Sequence, residues 1–257
     1  MKIAALQATG LAGEPDLNLA VLREAARQAV AEGADVLVTP ELYVPGYAPE
    51  QVRGSDGSAQ RTEIGVAAAQ YGIHIVASTV ELTPSGSYIS ASLFDPTGGE
   101  VTRYRKQNLF GSAEESSFER GREDPELFDL NGFRAALGIC FDIEFPEFVR
   151  KQSVRGATLL LVPTAVPLRV NPDGSPPALD TRILSTTVIP TRAFESQLYI
   201  VYANQCGPRF SGTSTIADPY GSRLATAGDD PALIFADISP AVVDDARRDV
   251  GYMTFFA

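Results

Sequence analysis

Apolar and polar positions alternate along the chain in short segments that switch between a strand period and a helix period. Residues 2–9 are mostly apolar on both faces of a strand pattern, which is typical of a strand covered on both sides. Residues 16–32 repeat apolar side chains at helical spacing, with Pro15 at the start and Gly33 at the end. Further strands are predicted at 34–39, 73–82, 88–94, 100–104, 133–139, 157–163, 198–203, 213–217 and 232–238. Further helices are predicted at 61–71, 146–155, 184–196 and 240–247.

Two turns with the pattern Asp-Pro-x-Gly, at Asp95 and Asp218, each predict an antiparallel hairpin. The second hairpin is expected to join 213–217 to 232–238. Because the two turns share one pattern, they hint at two related halves. Strands and helices that alternate, with two hairpins inserted, predict an α/β fold in which one or two mixed sheets are covered by helices. No composition break or linker divides the chain, so residues 1–257 are expected to form a single domain.

Composition and charge exclude several function classes. The chain has 257 residues, of which 44% are hydrophobic, enough for a substantial core. Its net charge of −11, without any run of Lys and Arg, argues against nucleic-acid binding. The apolar runs are too short to span a bilayer, and residues 1–3 lead straight into a strand pattern instead of a signal peptide. Only Cys140 and Cys206 are present, so no disulfide framework exists and a reducing cytoplasm is the expected location.

One apolar segment, residues 133–139, ends abruptly in Cys140. The acidic, proline-containing segment 141–147 follows at once and can begin a helix. Such a corner holds the thiol where open α/β sheets bind ligands, and helix-terminal N–H groups are expected to lower its pKa. The alternative is a buried structural thiol, which is the usual fate of a free cysteine. Position alone does not decide between the two.

A cysteine nucleophile needs a base, and the lone histidine is a poor candidate for it. His74 lies within a predicted strand, where a core or sheet-edge role fits best, so a Cys–His or Ser–His–Asp device is disfavoured. Too few His and Cys residues are present for the usual metal sites. Glu41 follows a buried strand and a proline, where solubility explains a glutamate poorly. Lys106 follows another strand, where a solvated lysine at the strand end is the alternative. If these strands are parallel neighbours, their ends bring both groups to one rim with Cys140.

Three sequence blocks occur in a fixed order along the chain: Pro40-Glu41, residues 105–111 and residues 138–147. They resemble the signature blocks of the nitrilase (carbon–nitrogen hydrolase) superfamily. Further matching segments lie at 118–121, 160–165, 192–195, 203–207 and 211–221, so the resemblance covers nearly the whole chain. It implies a four-layer α-β-β-α sandwich with a Glu–Lys–Cys triad, assembled as dimers or larger multiples. It also implies that neither a metal nor an organic cofactor is used.

The resemblance implies a role for each member of the triad. Cys140 attacks the carbonyl carbon of an amide, or the carbon of a nitrile, and forms a thioester or thioimidate. Glu41 transfers the protons of both half-reactions, which requires a raised pKa. Lys106 and the backbone N–H of Phe141 stabilise the oxyanion.

Three further residues are assigned to the site. The family has a second glutamate between the lysine and cysteine blocks, and Glu114, four residues before Phe118, is the best match, with Glu115 as a rival. Tyr47 is expected to line the substrate pocket, although loop aromatics as often serve packing. Glu144 is expected to contact substrate. The alternative role of Glu144, and the role expected for Asp142, is a favourable charge at a helix N-terminus.

Segment 140–147 resembles the branch that contains aliphatic and stereoselective amidases. The predicted function is an amidase that hydrolyses small aliphatic or chiral carboxamides to the acid and ammonia through a cysteine thioester. A nitrilase that converts nitriles to the acid and ammonia is the alternative. A non-catalytic interaction protein is a third possibility, which the joint presence of Glu41, Lys106 and Cys140 disfavours. The expected partners are a small-molecule amide and further copies of the chain, with no nucleic acid and no membrane. The aromatic C-terminal tail, about 248–257, is expected to dock on a partner subunit.

Overall fold

In the computed structural model, which describes residues 1–169, 171, 173, 175 and 177–255, the strands form two six-stranded mixed sheets. The strands are β1 (Lys2–Gln7), β2 (Val36–Val38), β3 (His74–Thr83), β4 (Gly86–Phe94), β5 (Glu100–Arg105), β6 (Phe128–Leu130), β7 (Phe133–Leu137), β8 (Leu159–Thr164), β9 (Tyr199–Asn204), β10 (Thr215–Ala217), β11 (Arg223–Thr226) and β12 (Ala232–Asp237). The first sheet has the order β12-β1-β2-β3-β4-β5 and the second has the order β11-β10-β9-β8-β7-β6.

The helices cover the outer faces of the two sheets. They are α1 (Pro15–Ala31), α2 (Pro49–Val52), α3 (Ser58–Tyr71), α4 (Gly111–Glu115), α5 (Pro146–Val154), α6 (Ile189–Ser196) and α7 (Pro240–Val250). Two 3-10 segments, Cys140–Glu144 and Tyr252–Phe255, and a π-helical segment, Leu184–Val188, complete the helical structure of the described residues. In that part of the chain, no helix combines the length and apolar character that crossing a membrane requires.

Two apolar clusters fix the order of the layers. The larger one includes side chains of both sheets, such as Ile3 and Val38 of the first and Ala135 and Leu161 of the second, and it extends to α5, α6 and α7. The other cluster joins α1 and α3 to the outer face of the first sheet. Because each sheet buries both faces, its central strands carry apolar side chains on both faces, as the sequence indicated. The fold is therefore the predicted α-β-β-α sandwich.

The two halves of the chain repeat one strand order. Strands β1, β2 and β3 are parallel and are followed by antiparallel β4 and β5; β7, β8 and β9 are parallel and are followed by antiparallel β10 and β11. The turn at Asp95 joins β4 to β5, and the turn at Asp218 joins β10 to β11. In each turn the aspartate Oδ1 accepts two backbone N–H groups. The shared turn pattern thus marks equivalent positions of two related halves.

The predicted second hairpin is wrong in its second strand. The partner of β10 is β11, a short strand of mostly exposed residues that carries little apolar signal. The segment predicted as the partner, now β12, instead pairs antiparallel with β1 at the edge of the other sheet. Strand β6 was also not predicted, because three residues are too few to show a period.

Candidate active site

Three chain segments bring Glu41, Lys106 and Cys140 together between the sheets. Glu41 follows β2 and Lys106 follows β5, both in the first sheet, whereas Cys140 follows β7 in the second sheet. The expectation that these strands are neighbours is wrong, because β3 and β4 separate β2 from β5. The groups meet because the two sheets pack face to face.

The main chain of Glu41 is held by the opposite sheet. Its N–H donates to Thr164 O at 3.1 Å, and Gln205 Nε2 donates to its carbonyl oxygen at 2.8 Å. Gln205 Oε1 in turn accepts the N–H of Gly10 at 3.1 Å. The next residue, Leu42, has a φ of 45°, a left-handed conformation that a branched side chain rarely adopts. The corner therefore depends on contacts from outside its own sheet.

Lys106 is fixed by a close approach of two backbone segments. Its N–H donates to Ile89 O at 2.9 Å, and its carbonyl accepts the N–H of Gly121 at 2.7 Å. A Cβ atom at Gly121 would lie 2.2 Å from Arg105 O, so a larger residue there would force the segments apart. The glycine thus keeps the lysine at the end of β5.

The Lys106 ammonium group lies between two carboxylates. Its Nζ is 2.7 Å from Glu41 Oε1 and 2.8 Å from each carboxylate oxygen of Glu114. Glu114 also accepts the Tyr47 hydroxyl at 2.6 Å and the N–H of Phe110 at 2.7 Å. The lysine and both glutamates are fully buried. Five polar groups therefore form one network in the interior.

The rival glutamate lies outside this network. Glu115 is exposed and pairs with Arg120 at 2.9 Å.

Tyr47, which was expected to line the pocket, links the network to the surface. Its ring packs edge-on against Phe210 at 5.7 Å, and both rings line a cavity of about 370 Å³ that opens beside Arg209.

Cys140 begins the 3-10 segment Cys140–Glu144 and adopts a φ of 45°. Non-glycine residues rarely adopt this left-handed conformation, and those that do are concentrated at functional sites. Its side chain is 4% exposed, and the N–H of Ala165 points at the sulfur. Phe141 donates none of the described backbone hydrogen bonds that leave this 3-10 segment, which keeps its N–H a candidate donor to an oxyanion.

The electrostatics at Cys140 differ from the sequence expectation. Burial, together with the neighbouring Glu41, raises the thiol pKa well above its ordinary value, although Lys106 acts in the opposite direction. The expected lowering of the pKa by helix-terminal N–H groups is therefore wrong, because loss of water outweighs them. The resting cysteine is a neutral thiol and needs a base.

Glu41 has the properties of that base. Burial raises its pKa above the ordinary carboxyl range, although the charge of Lys106 opposes the shift. Its Oε2 is buried and makes no regular hydrogen bond to a described residue, and the Cys140 thiol interacts with this carboxyl group. Burial disfavours the charge of Lys106, but the carboxylates of Glu41 and Glu114 outweigh it and raise the lysine pKa. The site thus holds a thiol, a poised carboxyl group and a permanent cation.

Asp142 joins the lysine loop to the cysteine corner. Its buried carboxylate accepts the Tyr104 hydroxyl at 2.9 Å, the Asn108 N–H at 2.9 Å, the Asn108 side-chain amide at 3.0 Å and the Ile139 N–H at 3.1 Å. From the sequence, this residue was interpreted as a charge at a helix N-terminus. The sequence around Cys140 could not predict this link, because the Tyr104 and Asn108 donors come from a distant part of the chain.

Asp142→Ala is expected to lower the free energy of unfolding by about 2–4 kcal/mol, because it leaves several buried donors without an acceptor. Urea unfolding measures this difference. Glu147→Ala removes an exposed carboxylate from the same segment and is expected to change stability by less than about 0.5 kcal/mol. Equal stability of the two variants would contradict the assigned link.

Glu144 lies at the end of the 3-10 segment and is half-buried. Its main-chain carbonyl accepts Arg192 Nη2 at 2.8 Å, whereas its carboxyl group makes no hydrogen bond to a described residue. Burial raises its pKa to about 7, against the charges of Lys106, Arg169 and Arg192. The carboxyl group is therefore close enough to Lys106 for the charge of the lysine to affect its pKa. It can also accept further hydrogen bonds.

His74 lies at the start of β3, outside this network, where its Nδ1 faces Asp35 O at 3.4 Å. In the described part of the chain, no group of three or more His, Cys, Asp and Glu side chains is arranged to hold a metal ion.

Comparison with known proteins gives one consistent family. Residues 2–248 match the family model described as carbon-nitrogen hydrolase. The amidase from Nesterenkonia sp. AN1, solved in complex with acrylamide, is 32% identical with a TM-score of 0.85, over 98% of this chain and 95% of that chain. The 2-oxoglutaramate amidase of Bacillus subtilis is 31% identical over 84% of this chain and 86% of that protein. The nitrilase of Pyrococcus abyssi is 30% identical over 89% of this chain and 86% of that protein.

Proposed function

The chain belongs to the carbon–nitrogen hydrolase family, a hydrolase family that acts on C–N bonds, and from this membership we propose that it is an amidase for small aliphatic or chiral carboxamides. One observation carries the proposal. A neutral thiol, a carboxyl group of raised pKa and a lysine held between two carboxylates meet in one buried site. These are the groups that acyl transfer through a cysteine requires.

In the first half-reaction, Cys140 Sγ attacks the amide carbon while Glu41 takes the thiol proton. The oxyanion receives hydrogen bonds from the Lys106 ammonium group and the Phe141 N–H, and one such donor is typically worth about 3–4 kcal/mol in rate. When the tetrahedral intermediate collapses, the C–N bond breaks and Glu41 gives the proton to the departing ammonia. The acyl group remains on sulfur as a thioester.

In the second half-reaction, water attacks the thioester carbon and Glu41 takes the proton of the water. The same oxyanion donors act again. The C–S bond then breaks, the carboxylic acid leaves, and the proton returns to the sulfur. Glu114 touches neither leaving group: together with Tyr47 it positions the lysine.

Burial favours a small substrate. Cys140 is 4% exposed and Glu41 and Lys106 are 0% exposed, so a large acyl group would have to displace packed side chains. Solved structures of the Nesterenkonia amidase in complex with acrylamide and with butyramide support this size range.

The function is tested with butyramide and butyronitrile under identical conditions, with released ammonia as the readout. The proposal predicts ammonia from the amide at a rate at least about tenfold above that from the nitrile. The similarity to the nitrilase of Pyrococcus abyssi makes nitrile hydrolysis the second candidate. Turnover of the nitrile without turnover of the amide would establish the second candidate and exclude the first.

We also propose that residues 1–257 act as one domain and associate as a homodimer or larger homo-oligomer through the C-terminal tail. Tyr252 packs edge-on against Phe194 of α6 at 5.5 Å, and Phe255 is 83% exposed, which leaves an aromatic group available to a partner subunit. Residues 256–257 of the tail lie outside the described residues. Sedimentation of a chain truncated after Asp249 is expected to show monomers, and an unchanged oligomer would contradict the role of the tail.

A further inference from the structure

The main chain of Glu41 depends on residues of the second sheet. Its N–H donates to Thr164 O at the end of β8, and its carbonyl oxygen accepts Gln205 Nε2 from the residue that follows β9. Pro40, which precedes Glu41, has no N–H, and Leu42, which follows it, has a φ of 45°. The corner that carries the base is therefore positioned by the opposite sheet and not by the strand ladder of its own sheet.

Gln205 is itself fixed by its surroundings. It is 0% exposed, its N–H donates to Thr164 O at 3.2 Å, and its carbonyl oxygen accepts the N–H of Gly212 at 3.1 Å. Its side-chain Oε1 accepts the N–H of Gly10 at 3.1 Å, while its Nε2 donates to Glu41 O at 2.8 Å. Because one partner is a donor and the other is an acceptor, the orientation of the amide group is defined. The side chain thus bridges Gly10 and the base.

The Thr164–Ala165 peptide unit links this bridge to the nucleophile. Its carbonyl oxygen accepts the N–H groups of both Glu41 and Gln205, and its N–H points at the Cys140 sulfur. A peptide unit is planar and rigid. The main chain of the base and the sulfur of the nucleophile are therefore held by one rigid unit, and Gln205 adds a side-chain contact on the side of Glu41.

We propose that Gln205 is a positioning residue for the general base: its side-chain amide fixes the main chain of Glu41 so that the carboxyl group faces the Cys140 thiol. The inference rests on the proposed amidase function and names a further residue of that site. A misplacement of about 1 Å in an active site can lower a rate by about 10²-fold. Because Glu41 transfers a proton in each half-reaction, loss of the bridge is expected to slow both.

Gln205→Met tests the bridge with little change of shape. Methionine is also unbranched and of similar length, but it has no N–H group to donate to Glu41 O. With butyramide, kcat is expected to fall by about 10-fold to 100-fold, while KM changes by less than about threefold, because the substitution acts on the base and not on substrate contacts. Steady-state ammonia release measures both constants.

Gln7→Met is the matched control. Gln7 is also 0% exposed, and its side-chain amide makes hydrogen bonds of 2.7–2.8 Å with Gly228 O, Asp230 O and the N–H of Ser214. None of these partners is a residue of the candidate active site. Each of the two methionine variants loses a buried amide, so each is expected to lower the melting temperature by about 3–10 °C. Gln7→Met is nevertheless expected to keep kcat within about threefold of the wild type.

Gln205→Asn covers the case in which Gln205→Met does not fold. Asparagine keeps the amide group but is one methylene shorter, so it cannot bond to both Gly10 and Glu41 in their present positions. Its kcat is expected to fall at least about fivefold, again with KM within about threefold of the wild type. Circular dichroism checks that each variant is folded.

Alkylation by iodoacetamide tests the position of the base without turnover. The S–C bond forms at Cys140, iodide leaves, and the thiol proton passes to Glu41. At about pH 7 the alkylation rate at Cys140 is expected to be at least about tenfold lower in Gln205→Met than in Gln7→Met. Peptide mapping distinguishes Cys140 from Cys206.

The two measurements separate a failure of the inference from a failure of the proposed function. If the wild type hydrolyses no amide but alkylation of Cys140 is slowed in Gln205→Met, the proposed function is wrong and the positioning role stands. If amides are hydrolysed but both Gln205 variants keep the kcat and the alkylation rate of Gln7→Met, the positioning role is wrong and the amidase function stands. An equal fall of kcat in Gln205→Met and Gln7→Met, or a loss confined to KM, would also contradict the positioning role.

Discussion

Replacing Cys140 by alanine is expected to lower kcat for a small amide by about 10⁴-fold to 10⁶-fold, which is the effect of removing a nucleophile from a catalytic unit. Without the sulfur no thioester forms, and Glu41 and Lys106 can only promote direct attack by water. The corner that carries Cys140 is fixed by its backbone and by Asp142, so the substitution does not disturb the network around it. Steady-state ammonia release measures the effect, and circular dichroism checks that the variant is folded.

The chain offers a matched control for this substitution. Cys206 is also a free, buried cysteine, but its thiol lies beside Thr9, and among the described residues it takes no part in the network of Lys106. Cys206→Ala is expected to retain kcat within about threefold of the wild type. If Cys140→Ala kept its activity and Cys206→Ala lost it, the nucleophile would be Cys206 and the assignment of Cys140 would be wrong.

Glu41→Gln is expected to lower kcat by about 10³-fold or more. Because burial holds the Cys140 thiol neutral, its proton must be removed as the C–S bond forms, and an amide side chain cannot accept it. Glutamine keeps the size of the side chain and can still receive a hydrogen bond from Lys106. The variant should therefore fold normally while its chemical step is slow.

Glu115→Gln supplies the control for this second prediction. Glu115 is an exposed carboxylate that pairs with Arg120, so its loss is expected to change kcat by less than about twofold. Rates are measured across the pH range. Protonation of Glu41 is expected to lower kcat of the wild type at low pH, and this decline should be absent from Glu41→Gln. A Glu41→Gln variant with wild-type kcat would show that another group accepts the thiol proton.

The identity of the candidate groups was readable from the sequence, because each follows a predicted strand. Glu41 and Cys140 come after apolar segments, whereas Lys106 follows a strand with alternating polar residues and was identified through the resemblance of the block 105–111 to the family. Their mutual placement was not readable. It depends on the packing of two sheets, and on contacts such as the hydrogen bond from Gln205 to Glu41 O that join residues far apart in the chain.

The misplaced strand partner has the same origin. The pairing of β1 with β12 joins the two ends of the chain, and no local pattern specifies such a pair. The exposed strand β11 was missed because its residues lack the alternation that burial imposes. Asp142 does accept an N–H at the start of the 3-10 segment, as its sequence position indicated, but its link to the lysine loop was missed. That link depends on donors more than thirty residues earlier in the chain.

The thiol pKa shows where local chemistry misleads. A helix N-terminus favours a thiolate in a partly exposed site, but Cys140 is only 4% exposed. Desolvation and the carboxyl group of Glu41 then dominate, and the shift changes sign. Cys140 is therefore expected to be activated by Glu41 acting as a base, and not by the N–H groups of a helix terminus.

Covalent attachment of the acyl group to Cys140 is the central claim, and rapid-quench mass spectrometry of the intact protein tests it most directly. The enzyme is mixed with excess butyramide, quenched in acid during turnover, and analysed for protein mass and released ammonia in the same sample. The wild type and Cys206→Ala are predicted to carry one butyryl group, which peptide mapping places on Cys140, and Cys140→Ala is predicted to carry none. Ammonia released by a wild-type enzyme whose Cys140 bears no acyl group would contradict the account.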